Sequence, residues 1–288
     1  MPLVSMAELL QKAYAEKYIV GAFSSWNTEM AQAIIEAAEE ERSPVILESG
    51  HFVADFDYRK VDYLVPTIKM IVENASIPAS IHLDHAASIE AVIQAIRLGV
   101  SSVMIDGSHL SLEENIALTR RVVNVAHSVG VSVEAEVGRI GKAEAGKSTG
   151  LGQTILTDPR DANRFVNETR VDALAISAGN IHGLCMEQAK IDFDGVKEIK
   201  KLVDIPLVLH GGTGIPPDAV RKLRTLGVSK INIGHAVILA FVEGIRKVLN
   251  TDLEKANNPR LIFASAREAM KNEVKKKMKL FGSSGKVG

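Results

Sequence analysis

Residues 206–234, PLVLHGGTGIPPDAVRKLRTLGVSKINIG, carry the plan of the whole chain. PLVLH (206–210) and SKINIG (229–234) are short, apolar and β-rich, with a helical pattern between them. Strand, helix and strand in that order predict two parallel neighbours in one sheet. Outward from this unit the same alternation recurs through YIVGAFS (18–24), VILES (45–49), ASIHLD (79–84), SSVMID (101–106), SVEAEVG (132–138) and ALAIS (173–177). Eight such runs separated by helices predict an α/β fold, a closed TIM (β/α)8 barrel rather than an open doubly wound sheet. One domain over residues 1–288 is expected, with a C-terminal helical extension from about residue 250.

Between the runs, residues 25–41 carry apolar side chains at helical spacing, and residues 88–98 open on Ser88 with Glu90 soon after. Residues 236–249 and 264–280 read as helices joined by the polar segment Asn257-Asn258-Pro259-Arg260. Gly282-Ser283-Ser284-Gly285 reads as a loose tail. The stretch 138–157, with Gly141, Gly146, Gly150 and Gly152, is long and glycine-studded for a connection in a barrel, which predicts a mobile functional loop.

Composition narrows the function classes. Hydrophobic residues make up 46 % and charged residues 24 %, enough for one sizeable core and against disorder. A formal net charge of −1 spread along the chain offers no footprint for nucleic acid or an anionic membrane. Lys275-Lys276-Lys277 reads as a solvated helix face. The single cysteine, Cys185, excludes an internal disulfide and fits a reducing compartment, so a cytoplasmic protein is expected. Residues 1–17 form an amphipathic pattern with charges inside it, unlike a signal peptide, and no apolar stretch suits a membrane span.

In a barrel of this kind catalytic groups stand at the C-terminal ends of strands. Here those ends are polar: Asp84-His85, Asp106-Gly107-Ser108-His109, Glu134 and Glu136, Asn180-Ile181-His182-Gly183, His210-Gly211-Gly212-Thr213-Gly214 and Asn232. A lone strand-end histidine is ordinarily a hydrogen-bonded structural residue. His85, His182 and His210 would, however, converge on one rim, and three neutral imidazoles facing an open fourth position are the usual ligand set of a catalytic zinc. Asp84 could exchange a proton with a substrate oxygen or hold a ligand's second nitrogen; otherwise it is a strand-end cap. Glu136 is a candidate second metal ligand or ion-pair partner, and parity puts Glu134 on the same strand face. Glu144, on the glycine-rich loop, could swing over a substrate as acid or base. Gly211, Gly212, Thr213 and Gly214, with Asn232, Gly234 and His235, follow the last two runs, where barrels bind phosphate on backbone N–H groups and a helix N-terminus.

Nearly end to end, through HLDHAAS, SVMIDGSHLSLEENI, VSVEAEVGRIG, VDALAISAGNIHG, PLVLHGGTGIP, KINI and a closing FGSSGK, the chain resembles the class II, zinc-dependent fructose-1,6-bisphosphate and tagatose-1,6-bisphosphate aldolases. The resemblance implies a C3–C4 bond of a phosphorylated ketose, cut to dihydroxyacetone phosphate and an aldehyde. It implies Zn2+ on His85, His182 and His210, with Asp84 as acid/base on the C4 hydroxyl. Glu144 would be the mobile-loop glutamate and Glu136 an alternate metal position. Gly183, Gly211 and Thr213 would line the dihydroxyacetone-phosphate site, beside which the family places a monovalent cation (Na+ or K+), and Asn232 would contact the substrate. Ser24 and Ser49 fall at substrate-facing positions. Arg260 would reach the distal phosphate of a neighbouring subunit's substrate, implying a homodimer or homotetramer. Breaking C3–C4 leaves negative charge beside the C2 carbonyl, which a Lewis-acidic zinc stabilises without a lysine Schiff base.

The chain departs from the family pattern at several places. Thr213 stands where HGGSG has serine. Gly234 and His235 stand where the family has an acidic or small residue and then threonine. The first strand ends Ala22-Phe23-Ser24 where the family reads AFN, and Gly141-Lys142-Ala143-Glu144-Ala145 replaces GGxED. These changes touch substrate-facing positions more than the metal. They leave open a tagatose-bisphosphate or other ketose-phosphate aldolase with an altered donor site, a non-catalytic accessory barrel, and a zinc hydrolase on the same fold.

Overall fold

A computed structural model describes residues 2–49, 61–142, 154–183 and 188–287; Glu144, Gly146, Gly150, Gly152 and Cys185 lie outside the described residues. Eight strands close into a parallel barrel: β1 (Val20–Ser24), β2 (Val45–Ser49), β3 (Ala79–Ala86), β4 (Ser102–Ile105), β5 (Ser132–Val137), β7 (Ala173–Ile176), β9 (Leu207–Leu209) and β10 (Val228–Ile233), each hydrogen-bonded to the next and β10 back to β1. Two two-residue strands, β6 (Gly141–Lys142) and β8 (Ile181–His182), pair in parallel beside the C-terminal mouth. Each of the eight runs read from the sequence supplies one barrel strand.

Side-chain alternation along the strands sorts residues into two populations. Ile19, Phe23, Val45, Leu47, Ile81, Leu83, Val133, Ala135, Leu207, Ile231 and Ile233 join the outer core against the helices. Val20, Ala22, Ile46, Met104, Ala173, Ala175 and Val208 instead form an inner cluster with Met6, Leu9, Leu10 and Ala13 of helix α1 (Met6–Glu16). That helix is capped by Ser5, whose hydroxyl accepts from the Glu8 N–H, and its apolar stripe closes the N-terminal end of the barrel. Above this apolar layer the inward positions turn polar, with Glu48, His82, Asp84, Glu134, Lys230 and Asn232 all buried. The interior is therefore dry and apolar at one end and charged at the other.

Outside the strands lie α2 (Thr28–Glu41), α3 (Val61–Glu73), α4 (Ile89–Leu98), α5 (Leu112–His127), α6 (Pro159–Thr169), α7 (Phe193–Leu202) and α8 (Pro217–Leu223). The capping serine anticipated before residue 89 is present: Ser88 accepts from the Ala91 N–H. After β10 come α9 (His235–Leu249), α10 (Leu253–Ala256) and α11 (Pro259–Phe281). Here the structure corrects the sequence reading, because Asn257-Asn258-Pro259-Arg260 is no plain connector. Asn258 caps α11 by accepting from the Arg260 N–H and Pro259 opens the helix, so α11 begins five residues before the expected position 264. At the crossing of α9 and α11, a Cβ on Gly244 would stand 2.6 Å from the Ala266 backbone, so glycine permits the close approach.

The closing segment is likewise docked rather than loose. Ser283 is fully buried and bonds Ser43 Oγ at 2.8 Å, while Gly285 and Val287 donate backbone N–H groups to Glu41 and Arg42. Lys275 pairs with Glu40 and Lys277 with Glu273, so the lysine run braces α11 against α2 and its own turn as well as facing solvent. Among the described residues no helix is long and apolar enough to cross a membrane.

Candidate active site

Asp84 and His85 are adjacent in β3, and in a regular strand they would face opposite sides of the sheet. The β3–β4 register shifts between Leu83 and Ala86, and His85 takes φ +48°, left-handed backbone that a β-carbon disfavours by about 1 to 2 kcal/mol. This irregularity re-aims the pair, so that Asp84 lines the cavity while His85 meets His210 on the rim. Such strain at a strand end marks a functional site.

The three histidines anticipated as a set do converge. Ring centroids lie 4.7 Å apart for His85 and His210, 5.1 Å for His85 and His182, and 5.5 Å for His182 and His210, all edge to face. One ring nitrogen from each lies within 4.8 Å of the others. Two devices bring His182 into place. Asn180 ties the loop after β7 to the end of β9, accepting from the Ala178 N–H at 2.8 Å and donating to the His210 carbonyl at 3.1 Å. Gly211, at φ +66°, lets the Ile181 carbonyl pass through the space a Cβ would fill.

Each of two imidazoles is held on its far side by a carboxylate. His85 Nδ1 bonds Asp106 Oδ2 at 2.7 Å, and His210 Nε2 bonds Glu134 Oε1 at 2.8 Å. Their remaining nitrogens, His85 Nε2 and His210 Nδ1, face each other at 2.8 Å. Glu134 in turn accepts from Lys230 Nζ at 2.8 Å, with both side chains fully buried. Holding a ligand's second nitrogen was one of the roles left open for Asp84; in the structure Asp106 and Glu134 do so for His85 and His210. A strand-end aspartate one strand along from His85 was a usable signal for Asp106, but nothing local linked Glu134 to Lys230.

Burial and neighbours set the charge states. Burial opposes a charge on His85, yet Asp84 and the Asp106 hydrogen bond prevail and push its pKa up to about 9. Burial holds His210 below the usual histidine range. For Glu134, burial is outweighed by Lys230 and His210, and the carboxyl is held down at about 2. Burial, then the Asp106 charge, raises Glu136 to about 8; its Oε1 accepts from the Ile140 N–H at 3.2 Å and its Oε2 has no partner. Glu136, His85 and Asp106 form a second cluster whose ligand atoms lie within 4.8 Å of one another. His82, fully buried beneath, is held neutral at about 3 by burial and Lys230, with Nδ1 on Ser102 Oγ at 2.7 Å.

Beside the histidines opens a cavity of about 210 Å3 lined by Ser24, Trp26, Glu48, Asp84, His182, Gly183, Gly211, Thr213, Asn232, Gly234, His235 and Ile238. Asn232 Nδ2 donates to Asp84 Oδ1 at 3.2 Å. Thr213 Oγ1 accepts from the Ala236 N–H at 3.1 Å, joining the loop after β9 to the first turn of α9. Not every anticipated substrate residue lies there. Gly212 packs beneath against Ile231 and Ile233. Ser49 is buried and donates to the His82 carbonyl at 3.4 Å. Arg260 is exposed at the start of α11. Glu48, Trp26 and Ile238 line the cavity without having been singled out in the sequence.

A barrel with a polar C-terminal mouth, three imidazoles and flanking carboxylates defines a class of metal-site TIM-barrel enzymes. The profile of the family Fructose-bisphosphate aldolase class-II matches residues 4–286. A fructose-bisphosphate aldolase of Geobacillus stearothermophilus is 43 % identical over 291 residues, covering 100 % of this chain and 99 % of that protein. A 6-phospho-5-dehydro-2-deoxy-D-gluconate aldolase of Bacillus licheniformis is also 43 % identical, over 292 residues, covering 100 % of this chain and 97 % of that one. The crystal structure of the YdjI aldolase from Escherichia coli K12 superposes with a TM-score of 0.85 at 32 % identity, covering 99 % of this chain and 100 % of that one. This chain belongs to the class II fructose-bisphosphate aldolase family, whose members are carbon–carbon lyases.

Proposed function

We propose that this chain is a zinc-dependent aldolase that cleaves and forms the C3–C4 bond of a phosphorylated ketose, with dihydroxyacetone phosphate as the donor half. One observation carries the reading: three imidazole nitrogens from distant strands converge beside Asp84 at the barrel mouth. The donor set fits a zinc ion. His85 and His210 have their far nitrogens engaged by carboxylates, which leaves the facing nitrogens as ligands together with His182. The carboxylates that hold a proton on His85 equally favour a divalent cation in its place. When bound, zinc supplies Lewis-acid stabilisation of the negative charge that develops beside the C2 carbonyl.

The chain's own groups supply the rest. Asp84, oriented by the Asn232 amide, takes the C4 hydroxyl proton in cleavage and returns it in condensation. Glu144 shuttles the proton at C3, and Glu136 offers an alternate metal position. Gly183, Gly211 and Thr213 bind the donor half, and a monovalent cation accompanies its phosphate. In the first turn of α9 Thr213 Oγ1 takes the Ala236 N–H, and the remaining backbone N–H groups beside His235 serve that phosphate. Arg260, exposed and away from its own cavity, serves the substrate of a neighbouring subunit in a homodimer or homotetramer. The setting is cytoplasmic sugar-phosphate metabolism of the glycolytic type, within a single-domain barrel.

Overall likeness does not select the ketose, because two relatives at the same 43 % identity are named for different substrates. Zinc content and retro-aldol rates over a panel of ketose phosphates, before and after chelation, test the proposal. The expected result is about one zinc per chain and activity that disappears with the metal and returns with it. Full activity after complete metal removal overturns it.

A further inference from the structure

Glu48 lines the floor of the cavity, and the mechanism above does not use it. It lies in register with Ser24 on β1 and His82 on β3, and it is 2 % exposed. Its Oε2 accepts from Ser24 Oγ at 3.2 Å, whereas Oε1 has no hydrogen-bond partner. Asn232 repeats the pattern beside it: Nδ2 is spent on Asp84 and Oδ1 is buried without a partner. Two oxygens thus sit unsatisfied in one cavity wall, and a buried polar atom left this way is costly.

We propose that Glu48, together with Ser24 and Asn232, reads a hydroxyl group on the aldehyde-derived half of the ketose. The inference rests on the aldolase reading above. First, the unsatisfied atoms are an amide oxygen, which accepts, and a carboxyl oxygen, which accepts when ionised and donates when protonated, and a sugar hydroxyl can partner either. Second, Asp84 and Glu134 flank Glu48 with Lys230 opposing them, so even with the Glu48 carboxyl protonated a phosphate or carboxylate is disfavoured in the corner. Third, Asn232 is shared between the corner and Asp84, so the corner adjoins C4, where the aldehyde half begins. Gly234 completes the arrangement, since a Cβ there would stand 3.0 Å from Ser24 Oγ and crowd the hydroxyl. The departure from the family pattern at residue 234 therefore keeps this corner open. Burial and then the Asp84 charge hold the Glu48 carboxyl well above the usual range, and in either protonation state Oε1 needs a polar partner.

The test is aldol condensation of dihydroxyacetone phosphate by the zinc-loaded enzyme with paired acceptors. The pairs are glyceraldehyde 3-phosphate against 3-oxopropyl phosphate, and glyceraldehyde against 3-hydroxypropanal and lactaldehyde. The readout is the ratio of kcat/KM within each set, which cancels any difference in folded fraction between preparations. Wild type is expected to prefer the full hydroxyl complement over one deoxy acceptor by about 10- to 100-fold, the worth of a hydrogen bond to an ionised or strongly polar group. Glu48→Leu brings that ratio to within about threefold of unity, and Glu48→Gln, which retains a polar atom at Oε1, keeps most of it. A wild type that condenses none of these acceptors overturns this inference, while retro-aldol turnover on the ketose-phosphate panel decides the aldolase reading separately. A wild type that condenses them without discrimination, or a Glu48→Leu enzyme with undiminished discrimination, overturns the inference alone.

Discussion

Replacing Lys230 with methionine tests whether the buried charge pair holds the upper barrel together. Lys230 Nζ lies 2.8 Å from Glu134 Oε2, and both side chains are wholly out of solvent. Methionine keeps much of the length and apolar stem while deleting the ammonium, so Glu134 keeps its charge in a dry site with His210 as its hydrogen-bond partner. Removing one member of a buried pair costs about 3 to 5 kcal/mol, because the survivor is left uncompensated. At about 2 to 4 °C per kcal/mol for a chain of this size, Tm falls by roughly 6 to 20 °C. Urea and thermal unfolding followed by circular dichroism measure this, with the double variant Lys230→Met/Glu134→Gln as the essential companion. The double variant removes both charges and recovers about half or more of the loss, since an isolated charge, not a missing contact, is the cause. A single variant that loses less than about 1 kcal/mol, or a double variant no better than the single, refutes the reasoning.

Three further outcomes are expected. Acidification weakens the contributions of two buried groups, while Glu136, raised to about 8, contributes in the opposite sense as pH falls from 8 towards 4.5. His82 has its pKa depressed to about 3 and Glu134 to about 2, so the unfolded chain binds protons the folded chain refuses. The His82 contribution is whole above its ordinary 6.5 and lost towards 3, and that of Glu134 is whole above 4.5 and lost towards 2; His82→Gln should flatten the upper limb of a stability–pH curve. Asp106→Ala frees His85 Nδ1 and weakens zinc binding by about 10- to 100-fold in a competitive chelator titration, while Asp106→Asn weakens it less. Gly211→Ala meets both the positive φ and the Ile181 carbonyl; displacing His182 should lower kcat by on the order of 100-fold, and normal kinetics would contradict the role given to this glycine.

The barrel was legible in the chain alone, because alternating apolar runs and helices are local signals repeated eight times. The convergence of three histidines was legible in outline too, because histidines at C-terminal strand ends must share one rim once the strands close. Local punctuation was read less well: Asn258 and Pro259 looked like a break and form a cap, and Ser283 looked part of a loose tail and is buried. Which groups work together inside the barrel was not legible there and emerges from the folded arrangement. The β3 irregularity that turns both Asp84 and His85 towards the mouth, the backing of His85 by Asp106, the Lys230–Glu134–His210 chain and the Glu48 corner all join different strands. Such pairings depend on register around a closed sheet, and register is fixed by the simultaneous packing of every strand rather than by the residues of any one.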